Sequence, residues 1–225
     1  MCLLSVHFPW IVPVRRELEQ GALLNPDGHG WARLSLNGSL VTFRSLDAQE
    51  AIDSYLAARE LYPSAVLMFH SRHATGSPVT LENCQPLPVG GDPEVVVAHN
   101  GHLFTPEDSE ASDTAIFAGT MLPHYDVEDP RQRVILEERL GHNKMVIFSG
   151  RTGSAHILNG KYWTRSESGA WHSNTSFTGV SHRTPGVCVF CQAPDSWEPV
   201  PGGSTACISC STAIAERAEL LLQPV

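Results

Sequence analysis

Cys2-Leu3-Leu4-Ser5-Val6 follows Met1 and reads as an apolar strand led by a thiol. If Met1 is removed, one residue carries both a nucleophilic thiol and a free α-amine. An unperturbed α-amine titrates at roughly 7.7–8.0, which makes it a base poised near neutral pH. A Met-Cys start also arises by chance, so the weight of this reading rests on segments further down the chain.

Those segments alternate between strand and helix signals. Gly30-Trp31-Ala32-Arg33-Leu34-Ser35-Leu36 and Ser39-Leu40-Val41-Thr42-Phe43-Arg44 flank Asn37-Gly38, a pair that suits a tight hairpin turn with both central residues at positive φ. Asp47 with Glu50 three residues on has the form of a capping box. Ala48, Ala51, Ile52, Tyr55 and Leu56 then recur at helical spacing, and Pro63 lies beyond the end. Buried strands are expected over 64–71 and 94–104, and shorter ones over 144–149, 155–158 and near Trp163 and Trp171. Helices are expected from Ser112-Asp113 through Met121, and from Asp129-Pro130 through Leu140, with proline at the tolerated first helical position.

The composition bounds the function. The chain has 225 residues, 42% hydrophobic and 17% charged, as a folded chain with a full core requires. A net charge of −9 with 15 Lys plus Arg argues against a general nucleic-acid or anionic-membrane surface. Apolar runs such as Glu94-Val95-Val96-Val97-Ala98 are too short to span a bilayer. The N-terminus lacks a basic region, and Pro9 and Pro13 interrupt it, so no signal peptide is expected.

Three loop segments carry candidate chemistry. Phe69-His70-Ser71-Arg72-His73-Ala74-Thr75-Gly76 leaves a strand and leads on to Asn83-Cys84-Gln85-Pro86. Arg72 there serves either a surface ion pair or a bidentate clamp on a carboxylate. Ala98-His99-Asn100-Gly101-His102-Leu103 follows an apolar strand. Its Asn-Gly is either a turn or an oxyanion hole, made of the Asn100 amide and the Gly101 N–H. Ser112-Asp113-Thr114 is either a helix cap or a source of a carboxylate for a substrate ammonium. His70, His73, His99 and His102 crowd the same region and are read as structural hydrogen-bonding groups. Cys84 is read as a structural or pocket-lining thiol.

Taken in order, these residues resemble the class II glutamine amidotransferases of the N-terminal nucleophile hydrolases. The matching elements are Cys2; Arg72-His73-Ala74-Thr75 with Asn83 and Pro86; His99-Asn100-Gly101; and Ser112-Asp113. Asn25-Pro26-Asp27-Gly28-His29-Gly30-Trp31 is similar to the family's Asn-x-Asp-Gly-x-Gly loop. One departure stands out. Many members carry glycine two positions after the threonine, whereas here Gly76 follows Thr75 directly and Ser77 takes the later position.

The resemblance implies an α+β fold, a four-layer α/β/β/α domain over residues 2–182. It implies Cys2, Asn100 and Gly101 as catalytic residues, and Arg72, Ala74, Thr75, His99 and Asp113 as substrate-binding residues. L-glutamine is the implied substrate, and an ammonia-accepting synthase subunit the implied partner. The alternative is a free-standing amidohydrolase acting on another γ-glutamyl or amide substrate. A binding module that has lost turnover is a third reading, against which the intact Cys2, Arg72, Asn100 and Asp113 speak.

After Arg183 the composition turns Cys-, Pro- and Gly-rich. Cys188-x-x-Cys191 is followed, after fifteen residues, by Cys207-x-x-Cys210. This spacing fits a four-thiolate zinc site, with iron, two disulfides or free core thiols as alternatives. Four thiolates leave no open position, so a structural zinc ribbon over residues 183–225 is expected, with a short helical tail. No organic cofactor is expected. The segment carries little positive charge, so protein docking is favoured over DNA binding. Cys-x-x-Cys pairs read as metal ligands point to a reducing compartment, and a cytoplasmic location is expected.

Overall fold

The computed structural model describes residues 2–103, 109–179, 197–200 and 204–207, the last two stretches as backbone. Two antiparallel sheets carry the architecture. The first contains, from edge to edge, β3 (Leu40–Ser45), β2 (His29–Leu34), β4 (Val66–Ser71), β1 (Leu3–His7), β10 (Trp171–His172) and β9 (Thr164–Arg165). The second contains β5 (Leu87–Val89), β6 (Asp92–Asn100), β7 (Lys144–Ser149) and β8 (Ser154–Leu158). A separate hairpin pairs β11 (Trp197–Val200) with β12 (Ser204–Cys207).

Strand alternation decides the layers, because successive side chains point to opposite faces. Leu4, Val6, Ala32, Leu34 and Met68 of the first sheet meet Val96, Ala98, Val146 and Phe148 of the second in one apolar cluster. The intervening residues face outward. Trp31, Leu67 and Phe69 pack under Leu18 and Ala22 of α1 (Arg15–Leu24) and Ile52 and Tyr55 of α2 (Ala48–Leu61). Val97, Met145 and Ile147 pack under Phe117 of α3 (Asp113–Thr120) and Leu136 and Leu140 of α4 (Pro130–Leu140). The order is helices, sheet, sheet, helices. Each large apolar side chain fully buried in these clusters contributes about 1.5–3 kcal/mol. Among the described residues no helix is long and apolar enough to cross a membrane.

The helix starts follow their caps. The Asp47 side chain accepts from the Glu50 N–H at 3.0 Å. Glu50 does not return the bond to the Asp47 N–H; it takes the Ser45 hydroxyl, whose oxygen accepts that N–H at 3.0 Å. Ser112 caps α3 through the Ala115 N–H, and Asp129 caps α4 through the Arg131 N–H.

Two expectations change. The strand expected over 94–104 ends at Asn100, so Asn100 and Gly101 stand where β6 leaves the sheet. The loop around Asn37-Gly38 spans five residues, because Leu34 pairs with Leu40. The Gly38 N–H bonds the Ser35 carbonyl, and Gly38 (φ +80°) alone in the loop has positive φ. One helix was not expected: α1, whose N-cap Val14 makes no side-chain cap, although Leu18, Gly21 and Ala22 are buried at helical spacing. Gly21 lets it lie close on β1: a Cβ there would fall 2.2 Å from the Leu3 side chain.

Gly30 sets a similar test in β2. A Cβ at Gly30 would lie 2.3 Å from the Gln85 carbonyl oxygen and 2.7 Å from that of Phe43, both backbone. Gly30→Ala should lower unfolding stability by about 1–3 kcal/mol through overpacking. A Cβ at Gly76 meets nothing within 4 Å, so Gly76→Ala should stay within about 0.5 kcal/mol. Urea midpoints of the two variants check the contrast.

Candidate active site

The head of β1 is the place where the candidate residues meet. β4 runs antiparallel to β1 with Ser71 opposite Leu3, so Arg72 and His73 leave the sheet beside Cys2. The Cys2 Sγ accepts from the His73 N–H at 3.4 Å and lies 3.8 Å from the His73 carbonyl. Burial pushes the Cys2 thiol pKa up; the His73 N–H and the Arg72 charge pull it down, and the Asp113 charge adds to the rise. Cys2 therefore feels both charges that the sequence singles out.

The Asn25–Trp31 segment clasps this exit. The Asp27 N–H donates to the Arg72 carbonyl at 3.0 Å, and the Arg72 N–H to the Gly28 carbonyl at 2.8 Å. The Asp27 carboxylate accepts from the Ala74 N–H at 2.8 Å and lies 3.7 Å from His73 Nδ1. Gly28 has φ +127°, and a Cβ there would strike the Cys84 sulfur at 2.3 Å. Cys84 is buried under this turn, and its thiol reaches the Thr80 carbonyl at 3.4 Å.

Arg72 is 3% exposed, and its fork holds the loop that follows. It donates to the Pro78 carbonyl at 2.8 Å, the Ser77 hydroxyl at 2.7 Å and the Ser77 carbonyl at 3.2 Å. Ser77, the departure from the family loop, thus becomes a partner of Arg72. Thr75 lies half-buried in the same loop. Asn83 joins the loop to α3: its amide donates to the Pro78 and Glu110 carbonyls, and its oxygen accepts the Ser112 N–H at 2.7 Å. Next to it, Asp113 accepts from the Leu103 N–H at 2.8 Å and the Thr114 N–H at 2.6 Å.

Two of the four histidines, His99 and His70, are held by side-chain hydrogen bonds. His99 meets Thr114 Oγ1 through Nδ1 at 3.0 Å and Asn143 Oδ1 through Nε2 at 2.9 Å, while its N–H donates to the Gln85 side chain. His70 Nε2 meets the His99 carbonyl at 3.2 Å, and burial pushes the His70 pKa down to about 3.

Gly101 (φ +152°) admits no side chain, since a Cβ would fall 1.9 Å from Asn143 Oδ1. That oxygen also accepts the His102 N–H at 2.7 Å. Asn100 is 1% exposed, and its Nδ2 donates to the Ser173 hydroxyl oxygen at 2.8 Å.

Four neighbours carried no signal in the sequence. The Asn174 side chain donates to the Cys2 carbonyl at 2.6 Å. Ser173 Oγ accepts the Leu4 N–H at 2.9 Å, and the Ser173 N–H returns to the Leu4 carbonyl at 2.8 Å. Asn143 braces His99 and His102 as above. Lys144, the cross-strand partner of Asn100, is 7% exposed, and burial pushes its pKa down to about 8. Each is a common residue type at a strand end, and only the pairing of distant strands gives it meaning.

The expected metal ligands Cys188, Cys191 and Cys210 lie outside the described residues, as does the expected boundary at 182. Cys207 ends β12 opposite Trp197. Among the described residues no group of three or more His, Cys, Asp or Glu side chains is placed to hold a metal ion.

No family model matches the chain, and no curated protein matches it. Among solved structures, the chain is similar to glutamine phosphoribosylpyrophosphate amidotransferase from B. subtilis, complexed with ADP and GMP. The TM-score is 0.50 at 14% identity, over 80% of this chain and 43% of that chain. A structure described as the allosteric regulatory enzyme of purine biosynthesis aligns over the same shares at TM-score 0.47 and 14% identity. The chain spans less than half the length of either, and at 14% identity the likeness to the first is one of fold alone.

Proposed function

We propose that the chain is a glutamine amidotransferase or glutaminase that uses Cys2 as an N-terminal nucleophile. The observation that carries this reading is the Cys2 sulfur at the His73 amide, under the charges of Arg72 and Asp113. The fold shared with a glutamine amidotransferase supports it. In this reading Met1 is removed and the freed α-amine takes the thiol proton, through a water. The thiolate attacks the side-chain carbonyl carbon of glutamine, and Asn100 and the Gly101 N–H stabilise the oxyanion. The C–N bond breaks and ammonia leaves with a proton returned by the amine. Water then hydrolyses the γ-glutamyl thioester to glutamate.

Arg72 binds the substrate α-carboxylate and Asp113 the α-ammonium. The present partners of the Arg72 fork are neutral oxygens of Ser77 and Pro78. A carboxylate adds a full opposite charge and can take two parallel N–H bonds of the fork, so in this reading it replaces these neutral acceptors. Ammonia passes to a separate synthase partner. A second reading, an amidohydrolase for another γ-glutamyl substrate, draws support from Ser77, which reshapes the loop that reads the substrate head. Relative turnover of glutamine and other γ-glutamyl amides separates the two.

In the same reading Cys188, Cys191, Cys207 and Cys210 hold one structural zinc. In sequence the β11–β12 hairpin follows Cys191 and ends on Cys207, the first residue of the second pair. Metal binding would supply folding energy that so short a segment lacks.

Intact mass should show Met1 absent, and Cys2→Ser should lose most glutaminase activity. Retained Met1 in fully active protein would overturn the mechanism. Asn100→Ala should lower kcat by about 10²–10³-fold with little change in KM, as expected for an oxyanion donor. Asp113→Asn should instead raise the glutamine KM, and Arg72→Lys should rescue Arg72→Ala poorly, because a point charge lacks the fork. Steady-state kinetics on glutamine read all three.

Metal analysis should find about one zinc per chain. All four thiols oxidised without zinc or iron, in protein kept reduced, would refute the site.

A further inference from the structure

The amide of Asn100 poses a problem that its surroundings solve. Its Nδ2 donates to Ser173 Oγ at 2.8 Å. Its Oδ1 is buried and meets no hydrogen-bond partner among the described residues. Ser173 Oγ, on a fully buried residue, already accepts the Leu4 N–H at 2.9 Å. In this arrangement one oxygen receives two donors, the Ser173 proton finds no acceptor among the described residues, and a buried carbonyl stays unpaired. Leaving a buried acceptor unmet is costly.

A half-turn about Asn100 χ2 exchanges the two ends of the amide: the Ser173 proton gains an acceptor, the carbonyl is no longer unpaired, and the NH₂ donors are left open to an incoming acceptor. The Ser173 hydroxyl then donates to Asn100 Oδ1 while its oxygen keeps the Leu4 N–H. A serine hydroxyl has one donor and two acceptor sites, so both bonds fit it. The Asn100 NH₂ takes the place of the orphaned oxygen and presents its donors there. Hydroxyl and amide heavy atoms stay where they are, so the exchange needs no movement of strands.

We propose that Ser173 is the positioning residue that orients the Asn100 amide, turning the NH₂ rather than the carbonyl toward the reacting centre. This deepens the oxyanion role of Asn100 proposed above and rests on it. The placement suits the task. Ser173 binds Leu4, two residues from the nucleophile, through both its hydroxyl and its N–H. The adjacent Asn174 binds the Cys2 carbonyl at 2.6 Å. One short segment after β10 therefore ties the Cys2 backbone and the Asn100 amide to a common frame. Ser173→Ala leaves the Asn100 amide free to turn either face inward, and the inward carbonyl repels a developing oxyanion.

Glutaminase kinetics of Ser173→Ala, Ser173→Cys, Asn100→Ala and the Ser173→Ala/Asn100→Ala double variant test the proposal. Ser173→Ala should lower kcat by about 10–100-fold, the scale of a misplaced catalytic group, with KM within about two-fold. In the Asn100→Ala background the same change should cost nothing further, because Ser173 acts through Asn100. Alkylation of Cys2 by iodoacetamide should proceed at the parent rate, showing that the nucleophile has not moved. Ser173→Cys keeps the volume with a weaker donor and should also lose kcat; it carries the test if the alanine variant fails to fold. If Asn100→Ala leaves kcat intact, the oxyanion reading falls and this proposal with it. If Asn100→Ala loses kcat while both Ser173 variants match the parent, only the orienting role falls. A Ser173→Ala loss that persists undiminished in the Asn100→Ala background would also overturn it, by making Ser173 a brace for β1 alone.

Discussion

The first residues of β1 must satisfy their backbone groups although the strand beside them stops short. On one side β4 pairs with β1 as far as Leu3 opposite Ser71. On the other, β10 pairs only through Ser5 opposite His172. Past that point one backbone bond remains, from the Ser173 N–H to the Leu4 carbonyl, and side chains supply the rest: Ser173 Oγ for the Leu4 N–H and the Asn174 amide for the Cys2 carbonyl. Buried backbone groups left unpaired are costly, so this substitution is a condition for ordering the chain start. It also makes the position of Cys2 depend on residues about 170 places away in sequence.

The polar layer behind β1 serves the same end. Ser5 Oγ meets His172 Nδ1 at 2.8 Å, and the Glu17 carboxylate lies 3.4 Å from His172 Nε2. His7 Nδ1 meets the Tyr55 hydroxyl at 2.7 Å. Arg59, 4% exposed, donates to the His7, Phe8, Pro63 and Ala65 carbonyls. These groups link β1, β10, α1 and α2 on the face away from the second sheet. A serine, a histidine and a carboxylate in line can be a catalytic relay. Here the serine is fully buried within the sheet, so the three act as a clamp on β10. That clamp fixes His172, and with it the neighbouring Ser173 and Asn174.

Elements whose signals are local were legible in the sequence. Asp129-Pro130 marks α4 and Ser112-Asp113 marks α3, because caps act within one turn of chain. The apolar runs of β6 and β7 were legible for the same reason, and the family pattern brought Cys2, Arg72, Asn100 and Asp113 into one argument. What stayed hidden depends on contacts between distant strands. α1 has no side-chain cap at its N-terminus, and Gly21 lets it seat on Leu3. Ser173, Asn174, Asn143 and Lys144 are ordinary residues until β1, β6, β7 and β10 are set side by side. Ser77 was legible as a departure, but its bond to Arg72 was not.

The same geometry narrows the choice of base under the proposed reading. Of the histidines near Cys2, His70 is held neutral by burial, with a pKa pushed down to about 3. A group that weakly basic binds a proton poorly near neutral pH. Burial likewise lowers His99, and both of its ring nitrogens are engaged by Thr114 and Asn143. Burial raises the Cys2 thiol pKa, which disfavours the thiolate and gives a neighbouring base a role in taking its proton. An α-amine on the same residue fills that role: it travels with the thiol, and its basicity lies near operating pH. The neutral histidines then keep their bonds to carbonyls, hydroxyls and amides, which hold Asn100 and Gly101 at the end of β6 without adding a charge that competes with the developing oxyanion.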